Sequence, residues 1–159
     1  MGYDLSNAAG DFHEWKVLGW WSVLNLARAY GWIPCGTHAP AGTTDASPWD
    51  GNYFMNDGQR VLASDALSLA DALDRLLEDS QKEVVAGRLR DRMQELVDAP
   101  SVPEPDSPTD VMVYPLAFIR GMLQQFGQTS IGAWSFTDKG NAYLREFIAF
   151  CRKGEFAIG

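Results

Sequence analysis

Residues 15–30 constrain the fold most. Val17, Leu18, Trp20, Trp21, Val23, Leu24, Leu26, Ala27 and Tyr30 are apolar, and only Ser22, Asn25, Arg28 and Ala29 interrupt them on one narrow stripe. A helix that is apolar around most of its circumference must lie centrally, because no single face can be left to water. Gly31 follows at the stopping position, where a left-handed backbone costs little. Gly19 inside the helix costs about 1 kcal/mol against Ala, or else permits a close contact.

The remaining chain is read around that helix. Residues 34–52 are rich in Gly, Pro, Thr and Ala and read as a loop. Tyr53-Phe54-Met55 and Arg60-Val61-Leu62 flank Asn56-Asp57-Gly58, which predicts a short β-hairpin because Asn and Asp-Gly tolerate positive φ. A helix over 65–79, capped by Ser64, carries Leu69, Ala70, Leu73, Leu76 and Leu77 at spacings of three and four. Ser80-Gln81-Lys82-Glu83 reads as a capping box for a further helix over 81–98, with Val85, Leu89, Met93 and Leu96 on its apolar face. Four prolines at 100, 103, 105 and 108 make 99–110 a surface loop. Val111 to Tyr114 fits a short strand, and a helix starts at Pro115 and ends at Gly127. Residues 131–136 fit an extended segment. A last helix spans 138–153 with Leu144, Phe147, Ile148 and Cys151 inward, and Phe156-Ala157-Ile158 adds an edge strand. The expected fold is mainly α (α+β): about five helices around a central aromatic-rich helix, with a short β-hairpin and minor edge strands. All 159 residues form one globular domain.

Charge narrows the function. Thirteen basic residues face 21 acidic ones, a formal net charge of −8. Such a chain lacks the cationic surface that nucleic-acid phosphates and anionic lipid require, and it suits a basic protein partner. Six Trp, eight Phe and five Tyr are more rings than a core of this size demands, and exposed ones mark contact surfaces. The opening Met1-Gly2-Tyr3-Asp4-Leu5 lacks the basic and apolar runs of a signal peptide. Gly2 with Ser6 fits a myristoylation pattern only superficially, since no basic cluster supports it. With two cysteines and no stretch of about 20 apolar residues, the expected setting is the cytoplasm.

Candidate chemistry is sparse. Cys35 and His38, with His13 and Cys151, are all the Cys and His in the chain. Two of each suits zinc, but the second pair lacks ligand spacing, so no metal or cofactor is expected. Cys35 with His38 or His13 provides a thiol and a base without an adjacent orienting acid. His13-Glu14 is not part of an H-E-x-x-H motif, because Val stands at 17. Asp50 and Asn52 resemble the start of a calcium loop, but Phe54 breaks it. Asp50 and Asp57 are a candidate carboxylate pair, although Asp and Asn-Asp-Gly also shape turns. Trp49, Asp50, Asn52, Tyr53 and Asp57 are the expected partner-contact residues, combining rings, amides and carboxylates in one short stretch.

Several segments resemble a diffuse group of small uncharacterised bacterial proteins. They are Gly2-Tyr3-Asp4-Leu5, Gly31-Trp32 with Pro34 and Gly36-Thr37, the span Tyr53 to Val61, Asp65-Ala66 with Leu69 to Leu73, and Phe147 to Cys151 with Gly154 to Ile158. Small acidic proteins of this appearance resemble immunity proteins of bacterial toxin systems. The resemblance carries no catalytic residues. It implies an acidic, non-catalytic protein that neutralises a basic toxin or effector domain by direct contact. Two alternatives stand beside it: a small-molecule pocket near 34–58, and a cysteine- or carboxylate-dependent enzyme.

Overall fold

The structure, a computed structural model, describes residues 2–43, 49–79, 91 and 138–159. Within these, strands β1 (Gly2–Asn7) and β2 (Phe12–Lys16) precede helix α1 (Val17–Ala29). Strand β3 (Gln59–Val61) leads into α2 (Ala63–Glu78). Helix α3 (Asp138–Cys151) leads into β4 (Phe156–Ile158). The strands form one antiparallel sheet in the order β2-β1-β4-β3. The fold is therefore α+β, three helices with a four-stranded antiparallel sheet among the described residues, and not about five helices around a central one. The predicted helices over 81–98 and 115–127, the segments 111–114 and 131–136, and the Pro-rich loop at 99–110 lie outside the described residues, apart from Asp91.

The first two strands carry a period-two pattern. Tyr3, Leu5, His13 and Trp15 are buried, while Asp4, Ser6, Phe12, Glu14 and Lys16 are exposed. Alternation of this kind makes a half-buried sheet. Asn7 closes the hairpin. Its Oδ1 accepts from the Ala9 and Asp11 N–H groups, both at 3.0 Å, and Gly10 sits at φ +83°.

The predicted hairpin around Asn56-Asp57-Gly58 does not form. Asn52 Oδ1 takes the N–H groups of Phe54 (3.3 Å) and Met55 (3.0 Å), which turns that segment instead of extending it. Only Gln59–Val61 extends, and it pairs with β4. Phe156–Ile158 is therefore an interior strand held between β1 and β3, not an edge.

The helices cover one face of the sheet. Helix α1 is buried almost all round, including Ser22 and Asn25 on its polar stripe. It ends where Trp32 N–H donates to the Ala27 carbonyl (2.9 Å) and Gly31 N–H to Arg28 (3.1 Å), with Gly31 at φ +97°. Helix α2 starts at Ala63, with Leu62 in the capping position and no side-chain cap, so Ser64 lies inside the helix. Leu69, Leu73 and Leu76 face inward against α3 and α1. Burying each is worth about 1.5–3 kcal/mol. From α3, Leu144, Phe147, Ile148, Phe150 and Cys151 enter the same core.

Candidate functional site

The described residues between α1 and β3, 30–43 and 49–58, are held by a buried polar centre. Asp65, in the first turn of α2, is fully buried. Its Oδ1 accepts Trp32 Nε1–H at 2.9 Å and Cys35 N–H at 3.4 Å, and its Oδ2 accepts the Tyr53 hydroxyl at 2.5 Å. Tyr53 in turn accepts Gly36 N–H at 2.8 Å. Burial pushes the Asp65 carboxyl above the usual range, and the hydrogen bonds from Tyr53, Trp32 and Cys35 oppose that shift. Burial first, then the neighbouring Asp65 charge, holds the Tyr53 phenol protonated. The centre therefore acts as a fixed pin under both ends of the loop. Trp20 Nε1–H donates to the Tyr53 carbonyl (2.7 Å) and the Tyr3 hydroxyl to that of Phe54 (2.9 Å), which ties the same segment to α1 and β1.

A second layer lies above the pin. Thr37 Oγ1 donates to the Asn52 carbonyl at 2.5 Å and accepts Trp49 Nε1–H at 3.0 Å, while Thr37 N–H reaches the Gly51 carbonyl at 2.9 Å. Asp50 Oδ1 accepts both the backbone N–H of Asn52 (3.0 Å) and its side-chain amide. His38 and Arg60 exchange two backbone hydrogen bonds of 2.8 Å each, and Arg60 Nε–H donates to the Ala39 carbonyl (3.1 Å). Together these contacts hold open a recess of about 490 Å³, lined by Cys35 to Ala39, Trp49 to Gly51 and Arg60.

The five expected contact residues therefore separate. Trp49 and Asp50 line the recess. Tyr53 and Asn52 are buried beneath it, where they build it. Asp57 is exposed and does not line it, so it does not pair with Asp50 across the recess. Asp65, Trp32 and Thr37 stand in segments that carry the resemblance, but the sequence assigns them no site role. A signal for Asp65 was present: it precedes Leu69 by four and Leu73 by eight, which puts it on the apolar stripe of α2. A carboxylate at such a position needs donors, and the loop supplies them.

Cys35 and His38 both reach the recess wall, and Asp50 is in the same wall. The Cys35 thiol is pushed up by desolvation, then by the Asp65 charge. A nucleophilic cysteine needs the opposite shift. Among the described residues, no group of three or more His, Cys, Asp or Glu side chains is placed to hold a metal. Cys151 is buried in the core, and His13 is stacked against Phe147 with ring centres 5.2 Å apart. None of the described helices is long and apolar enough to cross a membrane.

The exposed charge is uneven. Arg152 pairs with Asp71 and Asp74, Lys153 with Asp11, and Arg60 with Glu155. Asp4, Glu14, Asp50 and Asp57 are exposed with no ion pair among the described residues.

Comparison of the chain with protein-family models, with curated proteins and with solved structures gives no match.

Proposed function

We propose that this chain is a protein-binding protein of the immunity type, acting in the cytoplasm, which neutralises a basic toxin or effector domain by direct contact. The observation that carries this reading is the division of labour in Trp49 to Tyr53. Tyr53 and Asn52 are spent on fixing the loop, while Trp49 and Asp50 are held toward solvent in a set geometry. Fixing a loop before contact lowers the ordering cost of association, which is what a recognition loop needs. The acids on the outer sheet face and the loop that have no ion pair among the described residues, within a net charge of −8, favour encounter with a cationic surface. Both cysteines are free thiols, as a reducing compartment would keep them. The cysteine-enzyme alternative is disfavoured by the upward shift of the Cys35 thiol.

The test is binding of the purified chain to the proteins encoded beside its gene, at low and high salt. A basic neighbour should bind, with an association rate that falls as salt rises. Binding to no neighbour, or binding indifferent to salt, rejects the proposal.

A further inference from the structure

The recess has a more specific chemistry than an acidic surface. We infer that it receives an organic cation, an alkylguanidinium or alkylammonium group, with Trp49 as aromatic wall and Asp50 as counter-ion. At about 490 Å³ it falls within the roughly 300–1,000 Å³ of ordinary ligand pockets.

Two charged side chains at its wall have opposite signs, and they are not equivalent. Arg60 already uses Nη1 on Glu155 at 3.2 Å and Nε on the Ala39 carbonyl at 3.1 Å, so its charge is answered within the chain. Asp50 has no cationic partner among the described residues. Its Oδ1 is occupied by the Asn52 amides, which fixes the carboxylate and leaves Oδ2 to a guest. Trp49 is fixed independently through Nε1 and Thr37. An indole and a carboxylate on one recess wall, each locked by a separate hydrogen bond, match a cation that has an apolar stem and a charged head. A bare metal ion is a poorer fit, since one carboxylate supplies too few hard ligands.

This inference deepens the partner-binding reading, and rests on it only for the molecule that bears the cation. A side chain of a basic protein and a free amine share the chemistry.

The test is titration of the whole chain with Nα-acetyl-arginine methylamide, followed by amide shifts in NMR spectra. The neutral citrulline analogue, Nα-acetyl-lysine methylamide and methylguanidine are parallel arms. Blocked arginine or blocked lysine should bind saturably with Kd on the order of a millimolar. Shifts should centre on Gly36, Thr37 and Gly51. The citrulline analogue should bind at least about tenfold more weakly, and Asp50→Asn, which keeps the acceptor for Asn52, should weaken binding by about tenfold. Trp49→Leu should weaken it as well; if that variant fails to fold, Asp50→Asn decides alone. Methylguanidine binding as well as blocked arginine identifies a free cation as the source, while a marked preference for blocked arginine identifies a side chain. Equal binding of arginine and citrulline, no saturation by either cation, or an unchanged Asp50→Asn overturns the inference. The two proposals fail separately. A recess that takes blocked arginine in a chain that binds no basic neighbour removes the partner reading alone. A basic neighbour bound by a chain whose recess takes none of the cations removes this one alone.

Discussion

Tyr53 is the residue on which the loop depends most. Its hydroxyl is at once donor to Asp65 and acceptor from Gly36. Tyr53→Phe keeps the ring and leaves a buried carboxylate oxygen and a buried N–H without partners. The expected loss is about 1–3 kcal/mol in urea unfolding. Proteolysis within 34–52 should rise at the same time. His13 gives a second prediction. Burial lowers its pKa from 6.5 to about 4, and Nε2 has no hydrogen-bond partner among the described residues. The unfolded chain therefore takes up the proton near pH 6.5 and the folded chain only near pH 4. Between those values the unfolded state holds more protons, so stability falls as pH falls, by at most about 1.4 kcal/mol per pH unit from this group. Asp65, with its pKa raised, acts in the opposite sense on acidification. His13→Phe, set among Tyr143, Phe147 and Phe150, should flatten the decline between pH 6.5 and 4 in denaturation midpoints. An unchanged decline would show that His13 is not its source.

At the scale of elements, Gly19 tests how tightly α1 meets the sheet. A Cβ there would lie 3.0 Å from the Trp15 ring. Trp15 is held edge-on against Tyr143 and Phe147, at 5.0 and 5.3 Å between ring centres, so it has nowhere to move. Gly19→Ala should therefore lower stability by about 1–3 kcal/mol, despite the gain of about 1 kcal/mol in helix propensity. A stabilised variant, measured by thermal unfolding, would mean that the ring yields. The legible elements in the sequence were α1, α2 and α3, whose apolar side chains repeat over several turns. The extended runs at Arg60–Leu62 and Phe156–Ile158 were legible and correspond to β3 and β4, whereas β1, β2 and the sheet that joins all four strands were not. In β2 the inward set includes His13, a polar residue that hides the alternation. What β3 and β4 hid was their pairing, because three residues are too few to reveal a neighbour and the two pair with each other across most of the chain. Asn56-Asp57-Gly58 carries genuine turn chemistry, but Asn52 captures the backbone groups that a local hairpin would have used.

For the whole molecule, the sheet makes stability depend on contacts between distant parts of the sequence. Ile158 is fully buried and sits opposite both Leu5 and Gln59. Ile158→Asp should cost at least about 3 kcal/mol and disturb β1 and β3 together, because it buries a charge without a partner. Ala157→Asp, on the outer face one residue away, should stay within about 0.5 kcal/mol of wild type. Equal effects in calorimetry would show that the two faces are not distinguished. The candidate site has the same non-local character. Its anchors, Trp32, Tyr53 and Asp65, come from the end of α1, the loop and the start of α2, and only the folded chain brings them together.

The interior position of β4 also sets a clock for biosynthesis. During translation β1, β2 and β3 emerge long before residues 156–158, so a growing chain on the ribosome carries two strand edges awaiting their common neighbour. Such edges pair readily with foreign strands, so nascent chains stalled before β4 are the species most exposed to aggregation and quality control.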